Sequence, residues 1–282
     1  MAKKKKPPVK KSKGQSDRLS GQHLQSGGVA GIFGIDARKL DDDIKPIVDL
    51  VFHNLQKKFP NREFRMREGV RKAEIHTKLN DVDHRLGVKL FVPTASIKPD
   101  GKITEVKDSR GQWRVVLVGE CKFQGKDIEN VLAGVRTKVM EEKAQYVMPA
   151  GNAIERVHKN IQEMKNFMIQ EKHFPYVVFL QGSNFATEQM DLYWPDKTHV
   201  PISPSDSNLN RIDRVTASNY GMNINENHCR NIEVNINDRK SSLQVASIYA
   251  QAENFTAEKM YEVLWEVALT SLEVLADDLP KG

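Results

Sequence analysis

Three charged residues, Asp100, Glu120 and Lys122, have types and spacing suited to phosphodiester hydrolysis. Side chains alternate between the two faces of a strand, so Glu120 and Lys122 share one face while Cys121 points to the other, into the core. The carboxylates of Asp100 and Glu120 are suitable Mg²⁺ ligands, and Lys122 can orient the attacking water and offset negative charge on the phosphate. These residues predict a minimal nuclease site in which all three are catalytic and Asp100 and Glu120 bind the metal.

The same pattern has a plainer interpretation as a salt-bridged surface. A Glu-X-Lys triplet downstream of an Asp occurs by chance in many proteins. Two features favour the nuclease site: the triplet ends an apolar run at 115–118, and Asp100 lies between Pro99 and Gly101 at a predicted bend. A charged pair at the end of a buried strand is costly unless it has partners or a task.

Alternating periodicities predict the elements that must position this site. Apolar residues recur at helical spacing from 43 to about 59, where Phe59-Pro60 ends the helix. Further helices are predicted at 127–145, 152–172, 207–219 and 256–279. Strands are predicted at 88–92, 103–107, 113–123, 176–180, 232–236 and 243–250. This alternation predicts a single α/β domain with a central mixed sheet of five or more strands flanked by helices.

The positive charge is concentrated at the N-terminus. The formal net charge is +6, but seven positive charges come from a run that no acidic residue interrupts: Lys3, Lys4, Lys5, Lys6, Lys10, Lys11 and Lys13. The rest of the chain is therefore close to neutral, and net charge alone is weak evidence for DNA binding. Residues 1–17 are predicted to form a disordered basic arm, because they have almost no apolar side chains with which to form a core.

Several other classes are disfavoured by composition. No apolar run approaches the length of a membrane span, and the basic start is not followed by the hydrophobic region of a secretory signal, so we expect a cytoplasmic protein. Cys121 and Cys229 are too few for a disulfide framework or a zinc site and are expected to be reduced and structural. The histidines show no metal-ligand spacing. The glycines near 27–34 follow no predicted strand, so they do not match a phosphate-binding fingerprint, which argues against a nucleotide cofactor.

Taken together, the sequence resembles the EcoRI-type restriction endonucleases, within the wider class of nucleases that have a Pro-Asp…Glu-X-Lys site. The resemblance is colinear from 18 to 279. It rests on these strings: Gly31-Ile32-Phe33-Gly34, Ser96-Ile97-Lys98-Pro99-Asp100-Gly101, Gln124-Gly125-Lys126-Asp127, Gly151-Asn152-Ala153-Ile154-Glu155-Arg156, His158-Lys159-Asn160 and Leu209-Asn210-Arg211-Ile212-Asp213-Arg214.

The resemblance implies a restriction-endonuclease-like fold, with residues 18–282 as the catalytic and DNA-recognition domain. It implies a homodimeric, Mg²⁺-dependent enzyme that binds the duplex palindrome GAATTC and cuts each strand between G and A, leaving 5′-phosphate ends and 5′ overhangs. Asp100, Glu120 and Lys122 match the family's catalytic positions. Such an activity serves host defence and requires a DNA methyltransferase to protect the host's own sites.

A second set of residues matches the family's base-recognition positions. In the family, an extended segment enters the major groove and the following helix presents polar side chains to the bases. The matching residues here are Met148, Ala150, Gly151, Asn152, Ala153, Glu155, Arg156, Arg211 and Arg214. Their chemistry agrees, because Asn pairs with adenine, Glu accepts from exocyclic amines and Arg donates to purine N7 and O6. A plainer interpretation is that Asn152 and Glu155 cap a helix whose face carries a solvated Arg156.

The sequence also departs from the expected family pattern. Pro149 and Phe123 stand where we expect alanine and histidine, and Gly119 and Cys121 replace small alanines. None of these changes removes a metal ligand, so they bear on cleavage rate and fidelity more than on the identity of the site. Candidate contacts to the DNA backbone are Ser96, Lys98, Lys126, Lys159 and Asn160, which lie beside the two functional strings.

Two rival functions remain open at this level. One is a repair or recombination nuclease that uses the same site with little sequence specificity. The other is a dimeric DNA-binding protein that no longer cuts, although the intact Asp100, Glu120 and Lys122 argue against it.

Overall fold

The computed structural model describes residues 44–136, 152–204 and 206–280. The helices are α1 (Ile44–Lys58), α2 (Lys72–Val82), α3 (Asp127–Leu132), α4 (Asn152–Phe167), α5 (Asp206–Ser218) and α6 (Ala257–Val274). The strands are β1 (Phe64–Arg67), β2 (Val70–Arg71), β3 (Ser96–Ile97), β4 (Ile103–Lys107), β5 (Trp113–Phe123), β6 (Tyr176–Gln181), β7 (Met190–Tyr193), β8 (His199–Ile202), β9 (Ile232–Ile236), β10 (Arg239–Leu243) and β11 (Ser247–Gln251). The predicted arm at 1–17 lies outside the described residues.

The predicted mixed α/β sheet is confirmed. Five strands pair in the order β1-β4-β5-β6-β11, with β1, β4 and β5 antiparallel and β5, β6 and β11 parallel. β6 is buried along its whole length, as expected for a parallel strand covered on both faces. β5 is the middle strand, and the predicted active-site triplet lies near its end.

Helices cover both faces of this sheet. α1 and α6 pack on one face, where Ile44, Val48 and Leu264 meet Leu117 and Cys121 in a single apolar cluster. On the other face, α4 packs through an apolar stripe that recurs at helical spacing. Its members are Ile154, Val157, Ile161 and Met164. Glu120 and Lys122 lie on the α4 side.

A β-bulge in β5 sets which face carries the site. The register between β4 and β5 shifts after the pairs Ile103 with Val118 and Thr104 with Leu117, so that Glu105 pairs with Val115 and Val116 is an extra residue. Val115 faces α4, and strict alternation would then point Glu120 toward α1 and α6. The bulge reverses the alternation, so that Val118 faces α4 and Glu120 follows it.

Some predicted elements are corrected. The strand predicted at 88–92 is wrong: this segment forms no strand, and Phe91 is 88% exposed. Its apolar residue types suit a strand, but no strand among the described residues pairs with it. α4 ends at Phe167 rather than 172, α6 at Val274 rather than 279, and the strand predicted at 243–250 is divided between β10 and β11. The helix predicted at 127–145 is α3, which ends at Leu132. Residues 137–145 of that prediction lie outside the described residues.

Both cysteines are buried and outside any disulfide in the described part of the chain, which agrees with their predicted structural role. Cys121 lies on the α1 and α6 face, opposite Glu120, as the alternation predicted. No helix in the described part of the chain is long and apolar enough to span a membrane.

Gly182, which follows β6, is expected to be essential for stability. Its φ is +111°, and a Cβ there would lie 2.3 Å from the carbonyl oxygen of Gln124. Gly182→Ala should therefore lower the free energy of unfolding by about 3 kcal/mol, from backbone strain and a clash with the main chain. Chemical denaturation measures this value. Gly111→Ala is the matched control, because its φ is +78° with open space around it, so equal losses would contradict the clash.

Lys165 on α4 is expected to make stability depend on pH. It is 7% exposed, and among the described residues it has no ion-pair partner. Burial lowers its pKa to about 8, so the unfolded chain keeps the proton to higher pH and stability should rise between about pH 8 and 10.5. Lys165→Met should remove this rise and stabilise the protein by about 1–3 kcal/mol at neutral pH.

The measurement for Lys165 is urea denaturation at pH values on both sides of this window. The exposed Lys159 on the same helix provides the control, since Lys159→Met should leave the pH dependence unchanged. An unchanged pH profile in Lys165→Met would show that the buried ammonium does not destabilise the fold.

Candidate active site

A tight turn places Asp100 beside the end of β5. β3 ends at Ile97, and the chain turns at Asp100 and Gly101. The Gly101 amide donates to the Gly119 carbonyl at 2.9 Å, which fastens the turn to the residue before Glu120. Two segments that are separate in the sequence therefore meet at one point, and the predicted bend is confirmed.

The three predicted catalytic side chains converge there. The Lys122 ammonium donates to Asp100 Oδ2 and lies 3.1 Å from Glu120 Oε1. It therefore contacts both carboxylates and offsets their mutual repulsion. The side chains differ in exposure: Glu120 is fully buried, Lys122 is 12% exposed and Asp100 is 25% exposed. The site is thus open to solvent on the Asp100 side and closed behind Glu120.

Glu120 is held by donors from two further elements. Asn160 Nδ2 on α4 donates to Oε1 at 3.0 Å and to Oε2 at 3.2 Å, and the Tyr176 hydroxyl on β6 donates to Oε2. Burial raises the pKa of Glu120, the charge of Lys122 opposes this effect and the charge of Asp100 adds to it. Burial beside this carboxylate also raises the pKa of Tyr176, so its hydroxyl stays protonated and donates.

The donor set fits a magnesium ion bound together with its substrate. Mg²⁺ is commonly held by one or two carboxylates, with waters and substrate phosphates completing six oxygen ligands. Asp100 and Glu120 provide two carboxylates that meet at one ammonium group. Within 44–136, 152–204 and 206–280, no three His, Cys, Asp or Glu side chains cluster in a way that could hold a metal through protein ligands alone. The site therefore suits a cation that the substrate phosphate helps to hold. It is less suited to a permanent structural metal.

Some of the predicted base-recognition residues lie near this site on neighbouring helices. Glu155 and Arg156 are exposed in the first turns of α4, and Arg214 is exposed on α5. Met148, Ala150 and Gly151 lie outside the described residues. Asn152 and Ala153 begin α4, and Arg211 lies on α5. The structure describes the backbone of these three residues but not their side chains.

A polar contact joins α4 to α5. His158 Nε2 lies 2.9 Å from Ser218 Oγ. Burial and the charge of Arg214 lower the pKa of His158, while Glu155 raises it, so both charged residues lie close to this imidazole. The exposed Glu155 and Arg214 therefore belong to one polar surface formed by two helices.

The predicted backbone contacts occupy different environments. Ser96 and Lys98 are exposed just before Asp100, Lys159 is exposed on α4, and Lys126 precedes α3. Asn160 instead directs its amide at Glu120. Alternation along β5 cannot reveal a partner on a helix, so no sequence pattern indicated this contact.

Sequence reasoning also missed Tyr176. It begins the apolar strand β6 and lies diagonally across from Glu120 in the parallel register, where Val118 pairs with Tyr176 and Glu120 pairs with Val178. The available signal was a tyrosine at the start of a buried strand, because a buried hydroxyl needs a partner.

Comparison with known proteins gives consistent matches. The family model of restriction endonuclease EcoRI matches residues 26–282. The chain is 51% identical over 272 residues to the type II restriction enzyme RsrI of Cereibacter sphaeroides, which covers 96% of this chain and 98% of RsrI. It is 48% identical over 270 residues to the type II restriction enzyme EcoRI of Escherichia coli, which covers 95% of this chain and 97% of that enzyme.

Proposed function

The chain belongs to the EcoRI family of type II restriction endonucleases, and on that premise we propose that it recognises duplex GAATTC and hydrolyses each strand between G and A. The products would carry 5′ phosphates and 5′ overhangs. The convergence of Asp100, Glu120 and Lys122 at the end of β5 is the observation that supports hydrolysis, and the likeness to EcoRI supports the sequence that is cut. Restriction of foreign DNA is the resulting role, which requires a methyltransferase that modifies the same sequence.

Each catalytic side chain has a role that its position supports. Asp100 and Glu120 would hold Mg²⁺, which supplies positive charge to the phosphate oxygens when it is bound. Lys122 donates toward both carboxylates and lies at the partly exposed edge, where it can orient a water and stabilise charge that develops on the phosphate. The buried Tyr176 excludes water behind Glu120, and together with the partly buried Asn160 it restricts how that carboxylate can turn.

Base recognition is assigned to the start of α4 and the middle of α5. Asn152 suits the N6 and N7 edge of adenine, Glu155 can accept from exocyclic amino groups, and Arg156, Arg211 and Arg214 can donate to purine acceptors. Met148, Ala150, Gly151 and Ala153 would line the groove, and Ser96, Lys98, Lys126 and Lys159 would contact phosphates. Glu155 and Arg156 share α4 with Asn160, so a base mismatch that displaces this helix would also disturb Glu120.

A homodimer follows from the symmetry of the proposed site. GAATTC has two-fold symmetry, so two identical chains can each read half of it and cut one strand. Each chain would contribute one catalytic centre, since Asp100, Glu120 and Lys122 meet within a single chain.

The decisive experiment is digestion of a plasmid of known sequence with purified protein and Mg²⁺, followed by sequencing of the fragment ends. Ends confined to G/AATTC would support the site, the cut position and the cation together. Scattered ends would contradict sequence specificity and favour a repair-type nuclease. DNA that is bound at GAATTC but not cut would contradict the hydrolytic role.

A further inference from the structure

Tyr176 lies in the wall of the active site without reaching its opening. It begins β6, the parallel neighbour of the strand that carries Glu120. Its side chain is fully buried, and its hydroxyl donates to Glu120 Oε2. The ring stacks on Phe174, with centroids 5.7 Å apart and an interplanar angle of 11°. This stacking limits how the ring can tilt, so the direction of the hydroxyl is largely determined by the fold.

The donors divide unequally between the two oxygens of Glu120. Oε1 receives the Asn160 amide at 3.0 Å and faces the Lys122 ammonium at 3.1 Å. Oε2 receives the Tyr176 hydroxyl and a longer bond of 3.2 Å from the same amide. Lys122 also contacts Asp100, so Oε1 is the oxygen on the side where the two carboxylates meet. Tyr176 therefore anchors the oxygen that faces away from that meeting point.

We propose that Tyr176 is a positioning residue for the reaction: by holding Oε2 of Glu120, it keeps Oε1 directed toward Asp100 and Lys122. The terminal torsion of a Glu side chain has a broad energy minimum, so the carboxylate plane is poorly defined unless donors fix it. Partners that orient a metal-binding carboxylate typically contribute a factor of about 10–100 to metal affinity or activity. The role rests on the function proposed above, because it concerns the same carboxylate.

The first test is Tyr176→Phe, which removes only the hydroxyl. We expect the single-turnover rate of GAATTC cleavage to fall about 10–100-fold and the half-saturating Mg²⁺ concentration to rise. The affinity for the same duplex without Mg²⁺ should stay within about threefold, because the fully buried hydroxyl cannot touch DNA. The matched control is Tyr249→Phe, a buried tyrosine in the cluster on the opposite face of the sheet, and it should leave all three values unchanged.

A second test does not depend on cleavage. Mg²⁺ should raise the melting temperature of the complex with a duplex that carries a non-hydrolysable linkage at the scissile position. This rise should be smaller in Tyr176→Phe than in the wild type or Tyr249→Phe. In a Glu120→Ala background, Tyr176→Phe should cause no further decrease, because the hydroxyl acts through that carboxylate.

The possible failures can be distinguished. If Tyr176→Phe matches Tyr249→Phe in rate and in Mg²⁺-induced stabilisation, or if its effect persists without Glu120, the positioning role is overturned. If the wild-type protein leaves GAATTC uncut, the proposed function is overturned instead. The comparison of melting temperatures still decides the role of Tyr176 in that case.

Discussion

Replacing Glu120 with alanine is expected to reduce the single-turnover cleavage rate by at least about 10³-fold while GAATTC binding is retained. The carboxylate meets that of Asp100 at Lys122, so its loss removes a predicted ligand and changes the charge at the site. Binding should persist because the predicted base contacts lie on α4 and α5, and because losing an anion near a phosphate reduces repulsion. Rapid-quench cleavage and fluorescence anisotropy measure the two quantities separately.

Glu105 on β4 provides a matched control for this change. It is 1% exposed and ion-paired with Arg65 at 2.6 Å, so it is also a buried carboxylate of the central sheet. Its partner in the β5 register is Val115, about 16 Å along the strand from Glu120. Glu105→Ala should destabilise the protein and leave the cleavage rate unchanged where the protein remains folded. A joint loss of binding and cleavage in Glu120→Ala would show that Glu120 is structural.

Lys122→Met is expected to lower the cleavage rate by about 10³-fold, within the range attributed to general acid–base and electrostatic groups. Methionine keeps much of the length and apolar volume of the side chain but removes the ammonium that lies between Asp100 and Glu120. Without that charge, two neighbouring carboxylates face the phosphate, so DNA affinity in the absence of Mg²⁺ should also fall. This joint decrease distinguishes Lys122 from Glu120, whose removal should spare binding.

Lys102 is the comparison residue for that experiment. It is 22% exposed and pairs with Asp49 at 3.0 Å, so it has similar burial and also bonds to a carboxylate. Lys102→Met should leave both cleavage and binding near the wild-type values. If both lysine variants lost cleavage to the same extent, the loss would reflect general destabilisation. A Lys122→Met enzyme that cut at the wild-type rate would exclude a catalytic role for the ammonium.

Local sequence patterns determined much of the scaffold around the site. The predicted bounds of β4, β5 and β9 agree with the structure, and α1 and α4 begin within one residue of their predicted starts. Apolar periodicity and turn residues are properties of neighbouring positions, so they can be recognised without the fold. The shared face of Glu120 and Lys122 followed from strand alternation alone, as did the burial of Cys121 on the other side.

The tertiary structure decided which face of the sheet carries Glu120 and Lys122 and which residues surround them. The extra residue Val116 reverses the alternation along β5, and only pairing with β4 reveals it. Strand formation likewise depends on pairing with a neighbouring strand, which explains why residues 88–92 do not form the predicted strand.

The sequence by itself therefore determined which residue types could do this chemistry, Asp100, Glu120 and Lys122, and the strand that carries two of them. The tertiary structure alone brought Asn160 from α4 and Tyr176 from β6 to the Glu120 carboxylate. The physical reason is range: periodicity reflects interactions between residues a few positions apart, whereas these hydrogen bonds require helix packing and parallel strand pairing between segments far apart in the chain.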